Sequence, residues 1–393
     1  MSHAGRTVES VRRANLAHVL ELLHLRGAQS RAVLTETTSL NRSTIADLVA
    51  ELVDLGLAEE RSPGPSNRVG RPSPVVAVDP AVVAIAVNPE VDALEIAAVG
   101  LDRHIRLFTR IPRDELLTPV ETARLIADQV AAWRESDLAA CRIVGVGLAV
   151  PGLVRAVDGL VRYAPHLRWE DAPLRDLVEA ATALPAAVGN DASLGALAEH
   201  LFGAAKGIDD VVYLNGGASG IGGGLIVHGK PVTGVGGYAG EFGQNRPGIS
   251  SPSDRRARDG VFEDEVSRAR LLSAVGLTRA DDRELAAALM AVNPDAEAEI
   301  ARQRRILATS LANAVNVLNP SMIVLGGFLS VLAESDLPGL VHAVQEQAMP
   351  ACGEDLRIAP AALAEHRLLI GAAEAAFAGI LADPAAAFAL ATL

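Results

Sequence analysis

The chain has 393 residues, half of them hydrophobic and only 3% aromatic, with a net charge of −13 and an isoelectric point near 5.2. That length supports two or three domains with sizeable cores; the few rings argue against recognition built on stacking, and the acidity by itself argues against nucleic acid. Two cysteines, Cys141 and Cys352, exclude a disulfide framework and a thiolate metal cage and fit a reducing compartment.

The charge is unevenly spread. Residues 1–74 hold nine arginines against eight acids, whereas the remaining 319 residues carry 26 basic and 40 acidic side chains. The opening MSHAGRTVES lacks the apolar stretch of a secretory leader, and no apolar run reaches the roughly 18 residues of a membrane helix. A cytoplasmic protein with no membrane partner is expected.

In chain order, Leu16, Val19, Leu20 and Leu23 fall at helical spacing between Ala14 and Leu25, and Gly27 supplies a stop. Ser30 is placed to cap a short helix ending near Thr37. After a turn through Thr38, Ser39 and Leu40, Asn41 caps a third helix whose Ile45, Leu48, Val49 and Leu52 make one apolar stripe. This is the layout of a helix-turn-helix, whose second helix reaches base edges with its first residues. Asn41, Arg42, Ser43 and Thr44 are therefore the candidate DNA-reading set: Arg42 can be bidentate to guanine, and the hydroxyls can serve bases or phosphate. The plain alternative is a helical hairpin with a solvated polar face. What weighs against it is the following stretch, GLAEERSPGPSNRVGRPSPVVAV (56–78), a hairpin with Arg61, Arg68 and Arg71 directly after the recognition helix. That is a wing, and Arg68 and Arg71 suit phosphates or the minor groove.

Beyond Pro74, apolar strands alternate with amphipathic helices. Strands are expected at 82–87, 94–100, 105–111, 142–149, 186–189, 210–215, 223–227 and 322–326. Helices are expected at 118–134, 173–182, 191–204, 263–274, 283–291, 295–318, 338–348 and 370–382. Hairpinned strands followed by βα units, and then the same again, predict a duplicated α/β fold with a cleft between two lobes. In VAIAVNPEVDALEI (83–96), Asn88, Pro89 and Glu90 form the turn between a strand and its return. Residues 246–260, RPGISSPSDRRARDG, read as a mobile loop.

Five segments carry a family resemblance: GVGLAVPGLV (145–154), APHLRWEDAPL (164–174), LPAAVGNDASLGALAEHLFGAAKG (184–207), GGASGIGGGLIVHGKPVTGVGGYAGEFGQ (216–244) and NAVNVLNPSMIVLGG (313–327). The chain resembles the ROK group of repressors and sugar kinases over nearly its whole length. With the winged helix in front it is similar to the repressor branch, the xylose and N-acetylglucosamine repressors. The resemblance implies a two-lobed α/β actin-like ATPase fold behind a winged helix-turn-helix. It also implies domains at 1–76, 77–189 and 190–369, with helix 370–382 packing back on the first lobe. The winged helix is expected to act as a separate unit.

It further implies a sugar site at Asn190, Asp191, Glu241 and Glu263, with Gln244 where the family has a histidine. The chemistry agrees, since a carboxylate accepts two hydroxyl hydrogen bonds at once, and Asn190 and Asp191 end a strand and open a helix, where α/β clefts form. Helix capping and first-turn charge are the ordinary roles for Asp191 and Glu263.

The departures are equally specific. The family's cysteine-rich zinc motif is matched by SDRRARDGVFE, without a cysteine, so no structural zinc is expected. The kinases' phosphate-binding Asp-x-Gly-Gly-Thr turn is replaced by Asn88-Pro89-Glu90, which removes an amide donor and adds a charge that repels phosphate. The expected protein is thus a transcriptional regulator, a repressor of sugar uptake or catabolism genes that binds operator DNA as a homodimer or tetramer. It carries a sugar effector in a non-catalytic cleft, with no cofactor. The alternatives are a sugar kinase with a DNA-binding extension and a regulator sensing a non-sugar ligand or a protein.

Overall fold

The computed structural model describes residues 8–61, 73–258, 260–290 and 294–389. Its first helix, α1 (Val8–Arg26), begins several residues before its apolar stripe and is followed by the two-residue strand β1 (Gln29–Ser30). Then come α2 (Arg31–Thr38), α3 (Arg42–Asp54), β2 (Ala58–Arg61) and β3 (Val75–Val78). The caps are those the sequence announces. Ser30 Oγ accepts from the Val33 amide at 3.2 Å, Asn41 Oδ1 accepts from the Thr44 amide at 2.8 Å, and Ser39 turns the chain in a left-handed conformation, φ 57°. β3 lies between β1 and β2, antiparallel to both, with Ala58 opposite Val78 and Arg61 opposite Val75. β1 is too short to leave a periodic signal. The hairpin tip, with Arg68 and Arg71, lies outside the described residues.

The first body sheet is built from β4 (Val82–Pro89), β5 (Ala93–Gly100), β6 (Ile105–Pro112), then after α4 (Pro119–Arg134) from β7 (Arg142–Val150). A small sheet of β8 (Leu153–Val154), β9 (Val161–Ala164) and β10 (Trp169–Ala172) precedes α5 (Leu174–Thr182) and β11 (Ala186–Asn190). The strand order is β11-β7-β4-β5-β6, parallel across β11, β7 and β4 and antiparallel in the β4-β5-β6 meander. β4 runs on through Pro89, which pairs with Leu94, so the turn is residues 90–92, closed by the Glu90 amide on the Ala93 carbonyl at 2.8 Å, rather than Asn88-Pro89-Glu90.

The second half opens with α6 (Asp191–Phe202), β12 (Val211–Gly217), β13 (Gly220–Val227) and β14 (Lys230–Pro231). Helices α7 (Phe262–Glu265), α8 (Arg268–Ala274), α9 (Asp282–Leu289) and α10 (Pro294–Leu318) lead to β15 (Met322–Gly327). They are followed by α11 (Phe328–Glu334), α12 (Leu337–Gln347), α13 (Pro350–Gly353), β16 (Arg357–Pro360), α14 (Arg367–Ala382) and α15 (Pro384–Ala389). The order β14-β13-β12-β15-β16, parallel at β12-β15-β16, mirrors the first sheet. The single helix expected at 263–274 is two, because Gln303 Oε1 accepts the Ser267 amide at 3.0 Å, taking the donor that a continuous helix would turn back on the preceding turn.

Every residue of β4 is buried because both faces of the sheet are covered. Val83, Ile85 and Val87 pack with α4 residues Ile126 and Val130, while Ala84 and Ala86 face α14. α14 approaches β7 and α6 closely. A Cβ on Gly147 would overlap the Ala372 carbonyl, and one on Gly371 would overlap the Leu194 carbonyl. The apolar cluster under α14, with Leu369 and Phe377, continues without interruption into Leu16, Leu20, Leu23 and Leu48. The head is therefore no separate unit; it shares a core with α14.

Candidate ligand cleft and DNA-facing helix

Asn190 ends β11 and caps α6. Its Oδ1 accepts the Ser193 amide at 2.9 Å, and its Nδ2 donates to the Gly152 carbonyl at 3.0 Å and to Asp191 Oδ1 at 3.2 Å. Asp191 is 9% exposed and its carboxylate accepts the Ala192 amide at 2.8 Å. Burial pushes its pKa up to about 6, helped by the charge of Glu90 and opposed by the Ala192 amide and Arg367.

Strand β13 passes beside this group, and its glycines leave the room. A Cβ on Gly222 would meet the Ala192 Cβ at 2.8 Å, and one on Gly220 would overlap the Glu263 carboxylate. Glu263 Oε2 accepts the Ile221 amide at 3.1 Å, and Oε1 accepts Gln244 Nε2 at 2.6 Å. Glu241, at the exposed rim, is held above the usual carboxylate range by partial burial and then by the charges of Asp191 and Glu263. All five candidates thus meet around β13. Three carboxylates and two amides are acceptors and weak donors for vicinal hydroxyls.

Residues the motifs did not reveal complete the cleft. Glu90 is not a free charge at a turn: Asn88 Nδ2 donates to Glu90 Oε1 at 3.0 Å and to Glu95 Oε2 at 3.2 Å. Burial and the neighbouring Glu95 raise the Glu90 pKa, and burial raises that of Glu95. Across from them, Arg367 is 8% exposed and donates to Tyr213 Oη at 3.0 Å, Asn215 Oδ1 at 2.7 Å and the Ala364 carbonyl at 2.5 Å. It is seated against Gly326 and Gly327, where a Cβ would stand 2.9 Å and 3.1 Å from its nitrogens. No local pattern marks Arg367, because its partners are 152 and 154 residues away in sequence.

The segment read as a mobile loop is tied down. Glu265 accepts the amides of Arg256 and Ala257 at 2.9 Å each; Arg302, buried, donates to Glu265 Oε2 at 3.1 Å and to the Asp254 carbonyl at 2.7 Å. Arginines and amides fill this region, and the segment offers no thiolate, so its residues do not fit a zinc ion. Among the described residues no group of three or more His, Cys, Asp or Glu is placed to hold a metal.

In the head, Asn41 is committed to capping and also accepts from Ser43 Oγ at 2.7 Å. Arg42 and Ser43 are exposed and Thr44 is half-buried. Elsewhere in the head Arg12 pairs with Glu51, Arg31 with Glu60 and Arg61 with Glu59. Arg42 has no ion pair among the described residues, so its guanidinium is available to a ligand. No helix of the described residues is long and apolar enough to cross a membrane.

Comparison with known proteins agrees with this architecture. The xylose repressor of Caldicellulosiruptor bescii is 26% identical over 388 residues, spanning 90% of this chain and 93% of its own. A glucokinase of Halalkalibacterium halodurans is 31% identical over 245 residues, 55% of this chain and 72% of its own. The crystal structure of a ROK family transcriptional regulator, homolog of the E. coli MLC protein, superposes with a TM-score of 0.75 at 23% identity, covering 94% of this chain and 98% of that one. The fold is therefore the two-lobed actin-like one behind an N-terminal helical head. The ROK family profile matches residues 85–378, and the chain belongs to the ROK family.

Proposed function

We propose that the protein is a sugar-responsive DNA-binding repressor of carbohydrate genes, working as a homodimer in the cytoplasm. Residues 1–76 read the operator, and the lobes at 77–189 and 190–369 enclose the effector. The observation that carries this reading is the joining, in one chain, of a capped helix whose Arg42 is unengaged with a cleft of three carboxylates around β13. Asn190, Asp191, Glu241, Gln244 and Glu263 would hold a sugar's hydroxyls. Arg42, Ser43 and Thr44 would reach bases, and Arg68 and Arg71 would reach phosphates. Similarity to the xylose repressor runs through head and body, whereas the glucokinase matches 55% of the chain.

The kinase alternative is disfavoured by Asn88, which spends its amide on Glu90 and Glu95, leaving two carboxylates where a nucleotide's phosphates would need donors. A thermal-shift panel of neutral monosaccharides, their N-acetyl forms and their phosphates tests the effector. At 100 times its dissociation constant a true effector adds about 2.7 kcal/mol of stability. The shift is expected for a neutral sugar and is expected to vanish in Glu241→Ala; a phosphorylated sugar or no sugar at all giving the shift overturns the assignment.

A further inference from the structure

Where the head meets the body, one polar contact is sealed inside the shared apolar core. His24 of α1 is 1% exposed, and its ring stands edge-on to Phe202, the last residue of α6, at 5.6 Å, and to Phe377 of α14 at 6.0 Å. Its Nδ1 lies 2.6 Å from the Leu101 carbonyl, and its Nε2 lies 3.0 and 3.1 Å from the two oxygens of Glu374 on α14. Both partners are acceptors. Beside an ionised Glu374 a neutral imidazole, with its single N–H, leaves one contact unmade, whereas the doubly protonated ring makes both.

We propose that His24, in its imidazolium form, is the positioning residue that fixes the DNA-binding head on the body, so that the His24–Glu374 pair acts as a protonation-dependent latch. Its place in the fold gives the latch a reach. α6 begins at Asp191 in the cleft and ends at Phe202 under His24, and α14 lies along both α6 and the first sheet. The two charged groups facing the ring are Glu374 from α14 and Arg103 from the turn after β5; α6 presents only Phe202, over which the Arg103 guanidinium sits at 4.9 Å. Burial alone would lower the His24 pKa. The hydrogen bond and charge of Glu374, with the Leu101 carbonyl, outweigh burial and Arg103, and the pKa stands raised above the ordinary 6.5. A raised histidine pKa stabilises docking fully below that ordinary value, and the stabilisation is lost as pH rises through the folded one. The latch does not depend on which effector fills the cleft.

The test is hydrogen-exchange protection of residues 14–26 in the full-length protein, corrected for intrinsic rates, from about pH 6 to about pH 9, the range in which a raised histidine titrates. The parent protein should lose protection as pH rises, with a slope that cannot exceed tenfold per pH unit, the limit for one linked proton. Glu374→Gln, which removes the charge, should lose protection at lower pH, and the apolar pair His24→Leu/Glu374→Leu should show no such slope. A flat profile in the parent, an unchanged midpoint in Glu374→Gln, or the parental slope persisting in the apolar pair would each overturn the latch. A failed sugar assignment would leave this profile unmoved and would show only in the thermal-shift panel.

Discussion

Asp191 shows how a buried acid can be costly to the empty protein and useful to the occupied one. Its pKa, pushed up to about 6, means that the folded chain holds the proton more tightly than the unfolded chain, whose acid titrates near 3.8. The resulting penalty is absent below the lower value, grows between the two, and is complete above about 6. Asp191→Asn should therefore stabilise the unliganded protein at neutral pH by roughly 1–3 kcal/mol, with the gain fading toward pH 4. Thermal melts across that range check it, and an Asn variant that is less stable at neutral pH would contradict the burial argument. The ionised carboxylate is also the better acceptor for hydroxyls, so the same variant should bind effector more weakly.

At the scale of elements, two close contacts set the geometry. Gly371 lets α14 lie against the Leu194 carbonyl of α6, and Gly147 lets it lie against β7. Backbone atoms cannot yield as a flexible side chain does, so Gly371→Ala should cost about 1–3 kcal/mol, the usual range for overpacking. Chemical denaturation measures this, and a loss under half that range would mean that α14 shifts freely. Arg42, the first residue of α3, has no ion pair among the described residues and so no carboxylate to leave. Arg42→Ala should cost about 1–3 kcal/mol on the cognate operator and relax preference at one base pair. Equal losses on operator and random DNA, measured by titration at fixed salt, would place Arg42 on phosphate instead.

For the whole molecule, the proposed operator contact falls to the head, with nine arginines against eight acids in residues 1–74, because the body, with 26 basic and 40 acidic side chains, would repel DNA. A two-fold pair of such heads should select a pseudo-palindromic site with half-sites about 10 bp apart or a multiple of that. Selection from a random library checks this, and recovery of single half-sites would count against the dimer. With the Asn88 amide donating to both Glu90 and Glu95, no phosphoryl transfer is expected. ATP turnover approaching the typical enzyme value of about 10 per second with any sugar of the panel would contradict it.

The local features of this chain were legible in its residues. Ser30 and Asn41 cap the helices they precede, Asn190 and Asp191 join β11 to α6, and the apolar periods place the main strands, because caps and periods are set by residues a few positions apart. Short elements such as β1, β8 and β16 carry too few residues for a period and take their form from strands far along the chain. The break at Val266 depends on Gln303, the hold on the 254–257 loop depends on Arg302, and the cation of the cleft, Arg367, finds Tyr213 and Asn215 across more than 150 residues. The joining of the head to α14 through His24 and Glu374 spans 350 residues. Sequence by itself determined the family, the longer elements and the sugar-site residues offered for test; only the tertiary structure decided which buried charges face one another, because burial and charge pairing arise when distant segments exclude water together.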